Sequence, residues 1–229
     1  MKLSNGTVTV LKNFSTINTN LVIKAGNTIS TMSAMKNIVA KAKVEETFPQ
    51  DFAIYDLNEF LASISLFTNP DLEFKNDFVV ITESGSSGKF LKYWFSDPSV
   101  VTSPNKEISM PSTEVTFQFS SDVLSQIQKA AAIIGVPDMV LEAMSLGKAI
   151  LKVTDKKNTT ANDYGVGIDV NNVDGKDLPY KFWFKVENLK LLPGTYEVCV
   201  SSKKISYFKN KKVDVDYFIA LEPESAYNE

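Results

Sequence analysis

Apolar residues recur at helical spacing in four places along the chain and at every second position almost everywhere else. Residues 4–18 place Val10, Leu11, Phe14 and Ile17 on one stripe, with Ser4 as the N-cap. Residues 57–67 repeat the pattern through Leu57, Phe60, Leu61 and Ile64, behind the N-cap Asp56. Ser120 or Ser121 opens a third helix to about Ile134, with Leu124, Ile127, Ala131 and Ile134 facing the core, and Glu187–Leu191 reads as a fourth, short one ending before Pro193-Gly194. Between them run alternating segments that predict strands: Leu21–Lys24, Thr28–Met32, Ile38–Val44, Phe52–Tyr55, Leu72–Phe74, Phe78–Thr82 and Lys89–Phe95 in the first half. The second half offers Val115–Phe119, Met139–Ser145, Ala149–Thr154, Tyr164–Val170, Tyr180–Val186, Thr195–Ser201, Lys204–Phe208 and Asp216–Leu221. Gly26-Asn27 is read as the turn of the first hairpin, and residues 155–163 as a polar loop.

The order repeats. A capped amphipathic helix is followed by short strands, and helices begin near residues 4, 57, 121 and 187. Residues 97–111 hold three of the nine prolines, each removing a backbone donor and restricting its predecessor, and read as an extended connector. The expected organisation is α+β: two similar domains of antiparallel sheet with two helices each, at residues 1–103 and 113–229, joined by residues 104–112.

Composition narrows the chemistry. The chain has 229 residues, no histidine and no arginine, so every one of its 24 basic residues is a lysine. The usual near-neutral proton shuttle is missing, and so is the commonest bidentate reader of guanine. Lysine binds phosphate as a point charge, so contact with nucleic acid would carry no sequence readout. The net charge of −3 requires any basic surface to be segregated. The longest apolar run, Ala130–Val136, is too short for a membrane span and the N-terminus leads into no signal-like segment, so no membrane partner is expected. The single cysteine, Cys199, reads as a core thiol.

Motifs for catalysis and cofactors fail on spacing. Gly85-Ser86-Ser87-Gly88-Lys89-Phe90 has two residues between its glycines where a phosphate loop needs four, and reads as a hairpin turn. Asp169–Gly175 resembles a calcium loop, but its glycine comes one position late and Tyr180 stands where the closing Glu belongs. No catalytic residue, metal ligand or cofactor is expected. Lys12, Lys129 and Lys190 project from predicted helices away from the apolar stripes, and Lys2 precedes the first helix. Each alone is ordinary for a solvated surface. Together, with acids grouped at Asp214, Asp216, Glu222, Glu224 and Glu229, they outline a possible basic face.

Several short segments resemble the sliding clamps of T-even-like bacteriophages: Met1-Lys2-Leu3-Ser4, Leu11-Lys12-Asn13-Phe14, Ala53-Ile54-Tyr55-Asp56-Leu57-Asn58, the junction Asp97-Pro98-Ser99 with Pro104-Asn105-Lys106, Pro193-Gly194 with Tyr196, and Tyr217 with Ala220-Leu221-Glu222. These anchors lie in register at both ends and at the centre, while residues from about 125 to 180 resemble the family less. The resemblance implies a ring of three subunits with helices lining the hole, no catalysis of its own, and location in the cytoplasm of the infected bacterial host. It implies double-stranded DNA, bound without regard to sequence, as a partner, together with the replicative DNA polymerase, an ATPase clamp loader and a possible part in late transcription. It makes Lys2, Lys12, Lys129 and Lys190 the candidate DNA-facing residues. Val101, Pro104, Ile108, Leu221 and Pro223 become candidates for a pocket that takes partner peptides, the alternative being that they pin the connector and last strand to the core. A phage structural or assembly protein without DNA-encircling activity is the competing reading; an enzyme is disfavoured by the missing histidine, nucleophile and metal motifs.

Overall fold

In the computed structural model, which describes every residue except Ser86, Ser87, Asn105 and Glu229, the chain separates into a first unit, Met1–Glu107, and a second, Ile108–Glu229.

The first unit opens with α1, Asn5–Ile17. Ser4 caps it as expected, its hydroxyl accepting from the Thr7 amide at 3.2 Å. The buried stripe is Thr7, Val10, Leu11, Phe14 and Ile17. Four strands follow, β1 (Leu21–Ile23), β2 (Gly26–Met32), β3 (Ile38–Phe48) and β4 (Phe52–Ile54), in the antiparallel order β3-β2-β1-β4. The β1–β2 turn falls at Lys24-Ala25, just before the Gly26-Asn27 pair expected to form it, because Gly26 (φ 117°) already begins the strand in a conformation that a side chain would disfavour. Next comes α2, Leu57–Ser65, capped by Asp56, which accepts from the amides of Asn58 at 2.9 Å and Glu59 at 3.2 Å. A second sheet, β5 (Pro70–Phe74), β6 (Phe78–Glu83) and β7 (Phe90–Trp94), completes the unit in that order. The β6–β7 pairing carries Thr82 opposite Phe90; the central serines of the turn read there, Ser86 and Ser87, lie outside the described residues.

The second unit contains β8 (Val115–Phe119), α3 (Ser121–Ile134, capped by Ser120), β9 (Asp138–Ser145), β10 (Lys148–Thr154), β11 (Tyr164–Asn172), β12 (Tyr180–Lys185), β13 (Tyr196–Ser201), β14 (Ile205–Asn210), β15 (Val215–Ala220) and β16 (Ala226–Tyr227). Its strands run antiparallel in the order β16-β12-β9-β10-β11-β8-β13-β14-β15. Gly135, left-handed at φ 69°, ends α3 and donates to the Ala131 carbonyl.

The fold class is as expected, with one difference. The fourth helix is a single 3₁₀ turn, Val186–Asn188, so the second unit has one α-helix among its described residues. Asn188, Leu189, Leu191 and Leu192 are all buried, and Pro193 disfavours helical geometry at Leu192. The segment is pinned as extended chain instead: the Leu192 amide donates to the Tyr217 hydroxyl at 3.1 Å, and the Tyr196 hydroxyl donates to the Leu192 carbonyl at 2.5 Å. The Pro193-Gly194 step is packed so closely that a Cβ on Gly194 would sit 2.5 Å from Asn210 Nδ2. Cys199 also departs from expectation. It is half-buried, on the face of β13 opposite the core residues Tyr196, Val198 and Val200, and burial pushes its thiol pKa up.

α1 is fastened to β3 by Glu46, whose carboxylate accepts from the Ser4 amide and the Thr7 hydroxyl. Burial would raise this carboxyl, but these hydrogen bonds outweigh it and hold the pKa below its ordinary 4.5. A carboxyl held low in the folded state stabilises above its unfolded pKa, and that contribution disappears as pH falls through the folded value. Between about pH 5 and pH 3, the urea midpoint of the native chain is therefore expected to fall more steeply than that of Glu46→Gln.

Candidate nucleic-acid interface and subunit edges

The face of α1 opposite its buried stripe consists of Asn5, Thr9, Lys12 and Thr16, spaced three or four residues apart and all exposed. Thr9 and Thr16 bond back to the helix, donating to the carbonyls of Asn5 and Asn13 at 2.7 Å each. Lys12 is thus the single charge on a helix with no acidic residue. On α3 the outward positions include Asp122, Ser125, Gln126, Lys129 and Ala132, all exposed. The exposed face of α2 carries Asn58, Glu59, Ala62 and Ser65 and no lysine.

Among the described residues seven lysines form ion pairs, and none of the seven is on an α-helix: Lys41 with Glu107 (2.8 Å), Lys75 with Glu73, Lys148 with Asp169, Lys152 with Glu142 (3.7 Å), Lys156 with Glu222 (2.8 Å), Lys181 with Glu142 (2.7 Å) and Lys185 with the buried Asp138 (2.5 Å). Lys12 and Lys129 form none. Lys148, Lys152, Lys181 and Lys185 on the strands are thus paired with carboxylates, whereas Lys12 on α1 has no acid on its helix and Lys129 shares α3 with Asp122 without pairing to it. Lys2 is exposed and helps hold the Asp71 carboxyl below its usual range, after the larger effect of the N-terminal ammonium hydrogen-bonded to it at 2.6 Å.

Lys190 differs from the other candidates. It follows the 3₁₀ turn rather than lying on a helix, is half-buried, and is engaged with a neighbouring group. The chain beside it is tied to α3, Gln128 donating to the Leu189 carbonyl at 2.9 Å. An open groove of about 490 Å³ runs between the end of α3 and this turn, past Ala131, Ala132, Pro137 and Val186. A search confined to helices also passed over the densest group of lysines, Lys209, Lys211 and Lys212, exposed at the β14–β15 turn beside Asp214 and Asp216.

The five candidate pocket residues divide between the units. Val101 is buried and Pro104 half-buried in the first; in the second, Leu221 is buried, Ile108 is 37% exposed, and Pro223 is exposed with its carbonyl accepting from Lys204. Among the described residues, no group of His, Cys, Asp and Glu could hold a metal ion, and no helix is long and apolar enough to cross a membrane.

A strand edge in each unit, on β7 and on β11, is without a partner among the described residues. In the first sheet of three strands, Met1 covers the edge of β5, exchanging backbone hydrogen bonds with Leu72 at 2.7 and 2.8 Å, while β7 pairs with β6 alone. In the second unit, Tyr164–Asp169 of β11 pairs with β10 on one side only; the strand meets β8 from Val170 onward. The sequence reading overlooked both edges. The signal was there in Tyr164-Gly165-Val166-Gly167-Ile168, since glycines inside a strand mark bends or close backbone approaches.

Residues 3–87 match the family model of the DNA polymerase processivity factor, and residues 116–223 match that of the gp45 sliding clamp, C terminal. The sliding clamp of Vibrio phage KVP40 is 34% identical over 227 residues, covering 97% of this chain and 99% of the relative. The chain belongs to the phage sliding-clamp family. The sliding clamp of Enterobacteria phage T4 is 28% identical over the whole of both chains. The fold extends further: proliferating cellular nuclear antigen from Entamoeba histolytica superposes with a TM-score of 0.66 at 14% identity, covering 94% of each chain. The A. fulgidus PCNA solved with the C-terminal region of FEN-1 gives 0.67 at 12% identity, covering 96% of each. The chain is a sliding clamp of the DNA polymerase processivity type, a family of accessory factors rather than enzymes. These matches do not favour the reading as an assembly protein. The second family model also runs through residues 125–180, whose short segments resemble the family less.

The lysines differ in what they do for the fold. Replacing exposed Lys12 or Lys129 with Ala should change stability by no more than about 0.5 kcal/mol, whereas Lys190→Ala should cost more than about 1 kcal/mol. Urea denaturation of the three variants measures the difference.

Proposed function

We propose that three copies of the chain close head to tail around duplex DNA, with α1 and α3 turned to the hole and the ion-paired sheets to the outside. The observation that carries this is that Lys12 and Lys129 stand exposed on helix faces without ion pairs, while Lys148, Lys152, Lys181 and Lys185 on the strands are neutralised by carboxylates. Phosphate contacts made by lysine are individually weak, depend on salt and ignore sequence. A closed ring turns such contacts into retention, because release requires a DNA end or an opened interface. Sliding needs the absence of base readout, which a chain without arginine supplies. The net charge of −3 fits an exterior that repels DNA around a hole that attracts it.

The unlike open edges of β7 and β11 support head-to-tail closure. An exposed edge invites pairing, and unlike edges join into a ring when the rotation closes. In this reading residues 1–103 and 113–229 are the two clamp domains and 104–112 the connector. Val101, Pro104, Ile108, Leu221 and Pro223 are the candidates for contact with partner peptides. The tethered polymerase gains effective concentration at the primer end, an ATPase loader opens the ring, and the loaded clamp also serves late transcription. The clamp works in the cytoplasm of the infected host and has no catalysis of its own.

Loading onto nicked circular DNA and onto the same DNA linearised is the direct test. The native clamp should remain on the circle and run off the linear form. Lys12→Glu with Lys129→Glu should load less and lose processivity as salt rises, with unchanged oligomeric mass. Equal retention on both DNAs rules out encirclement; full processivity of the double variant at moderate salt rules out the lysine assignment.

A further inference from the structure

The two open edges complement each other in more than their backbones. On β7, Leu91 and Tyr93 turn toward α2, the Tyr93 ring lying 5.1 Å from that of Phe60. Phe90, Lys92 and Trp94 therefore share the opposite face, where Phe90 is 71% and Trp94 61% exposed. The Lys92 ammonium sits 3.7 Å from the Phe78 ring centroid and 4.1 Å from that of Trp94, which holds the indole in place. On β11, Tyr164 turns toward α3, its hydroxyl 3.4 Å from Gln126 Oε1. Gly165, Gly167 and Asp169 therefore share the face away from that helix. Both sets lie on the side of their sheet opposite the helix, so joining the edges would make the two faces continuous.

We propose that Trp94 of one copy is the anchor of ring closure, its indole lying over the bare backbone of Gly167 on the next copy, next to the Ile150 side chain that already covers Gly165, with Lys92 beside it meeting the Asp169 carboxylate. This rests on the ring reading above and names the side chains that fix the contact. An exposed indole on one open edge and the uncovered Gly167 on the other are each unfavourable alone. Glycine gives a strand no side chain to pack, and an aromatic ring laid across a glycine on a neighbouring strand covers that gap. Charge is complementary as well. Lys92 has no carboxylate partner within its own copy among the described residues, and Asp169 is engaged only by Lys148, in an exposed pair that contributes little.

Gly167 supplies a clean test. A Cβ there would meet nothing within 4 Å, and its φ is not in the left-handed region, so Gly167→Val should fold at least as well as the native chain. In sedimentation velocity across a dilution series, Trp94→Ala and Gly167→Val should each weaken self-association about ten-fold, with urea midpoints not lowered for Gly167→Val. The double variant should be little worse than either single one, because both remove the same contact. A native chain that sediments near three times its 25.4 kDa mass while both variants associate equally well would overturn this inference and leave the ring intact. A native chain that stays monomeric at every concentration would overturn both.

Discussion

A helix that packs on a sheet can bury only one stripe, and the residues left on the other side decide what the molecule can touch. In α1 the buried stripe is Thr7, Val10, Leu11, Phe14 and Ile17, and its position is held by Glu46 gripping both the cap and the first turn. The opposite stripe is forced outward, and it consists of amides and hydroxyls around one lysine. Hydroxyls already bonded to their own helix offer little to a base edge. The lone ammonium offers a charge without direction. Such a surface can hold a polyanion and lacks the means to read it.

The same one-sidedness shapes the sheets. Lysine and carboxylate meet across neighbouring strands, as with Lys181 and Glu142, or Lys185 and Asp138. These pairs cancel locally, and the exposed ammoniums of Lys12 and Lys129 on the helices stand outside them. An overall negative chain can thus still present single positive charges on its helix faces. Asp138, fully buried, is the one carboxylate in these pairs whose partner matters strongly for the fold, since an unpaired charge there would be costly.

The two units solve one packing problem differently. The first places two helices against each other and its sheets. The second replaces its latter helix with a 3₁₀ turn and an extended run pinned by Tyr196, Tyr217 and Gln128. That exchange leaves a groove beside α3 and draws Lys190 partly into the structure. Duplication of the plan has not preserved the chemistry of corresponding positions.

The three α-helices, their caps and nearly all strands were legible in the sequence, because Ser4, Asp56 and Ser120 and the spacing of apolar residues are local signals that act within a few residues of chain. The family could also be read from short anchors whose order survives divergence. The fourth helix could not be read correctly: Leu189, Leu191 and Leu192 suit a helix locally, and contacts such as that of Leu192 with the Tyr217 hydroxyl, far along the chain, hold them extended. Exposed Lys12 and engaged Lys190 look alike in sequence, since nothing local records what stands beside a side chain. The open edges of β7 and β11 were equally hidden. Sequence determines that a segment becomes a strand, but which side of it goes unpaired depends on where every other strand lies, and that is settled by tertiary structure alone.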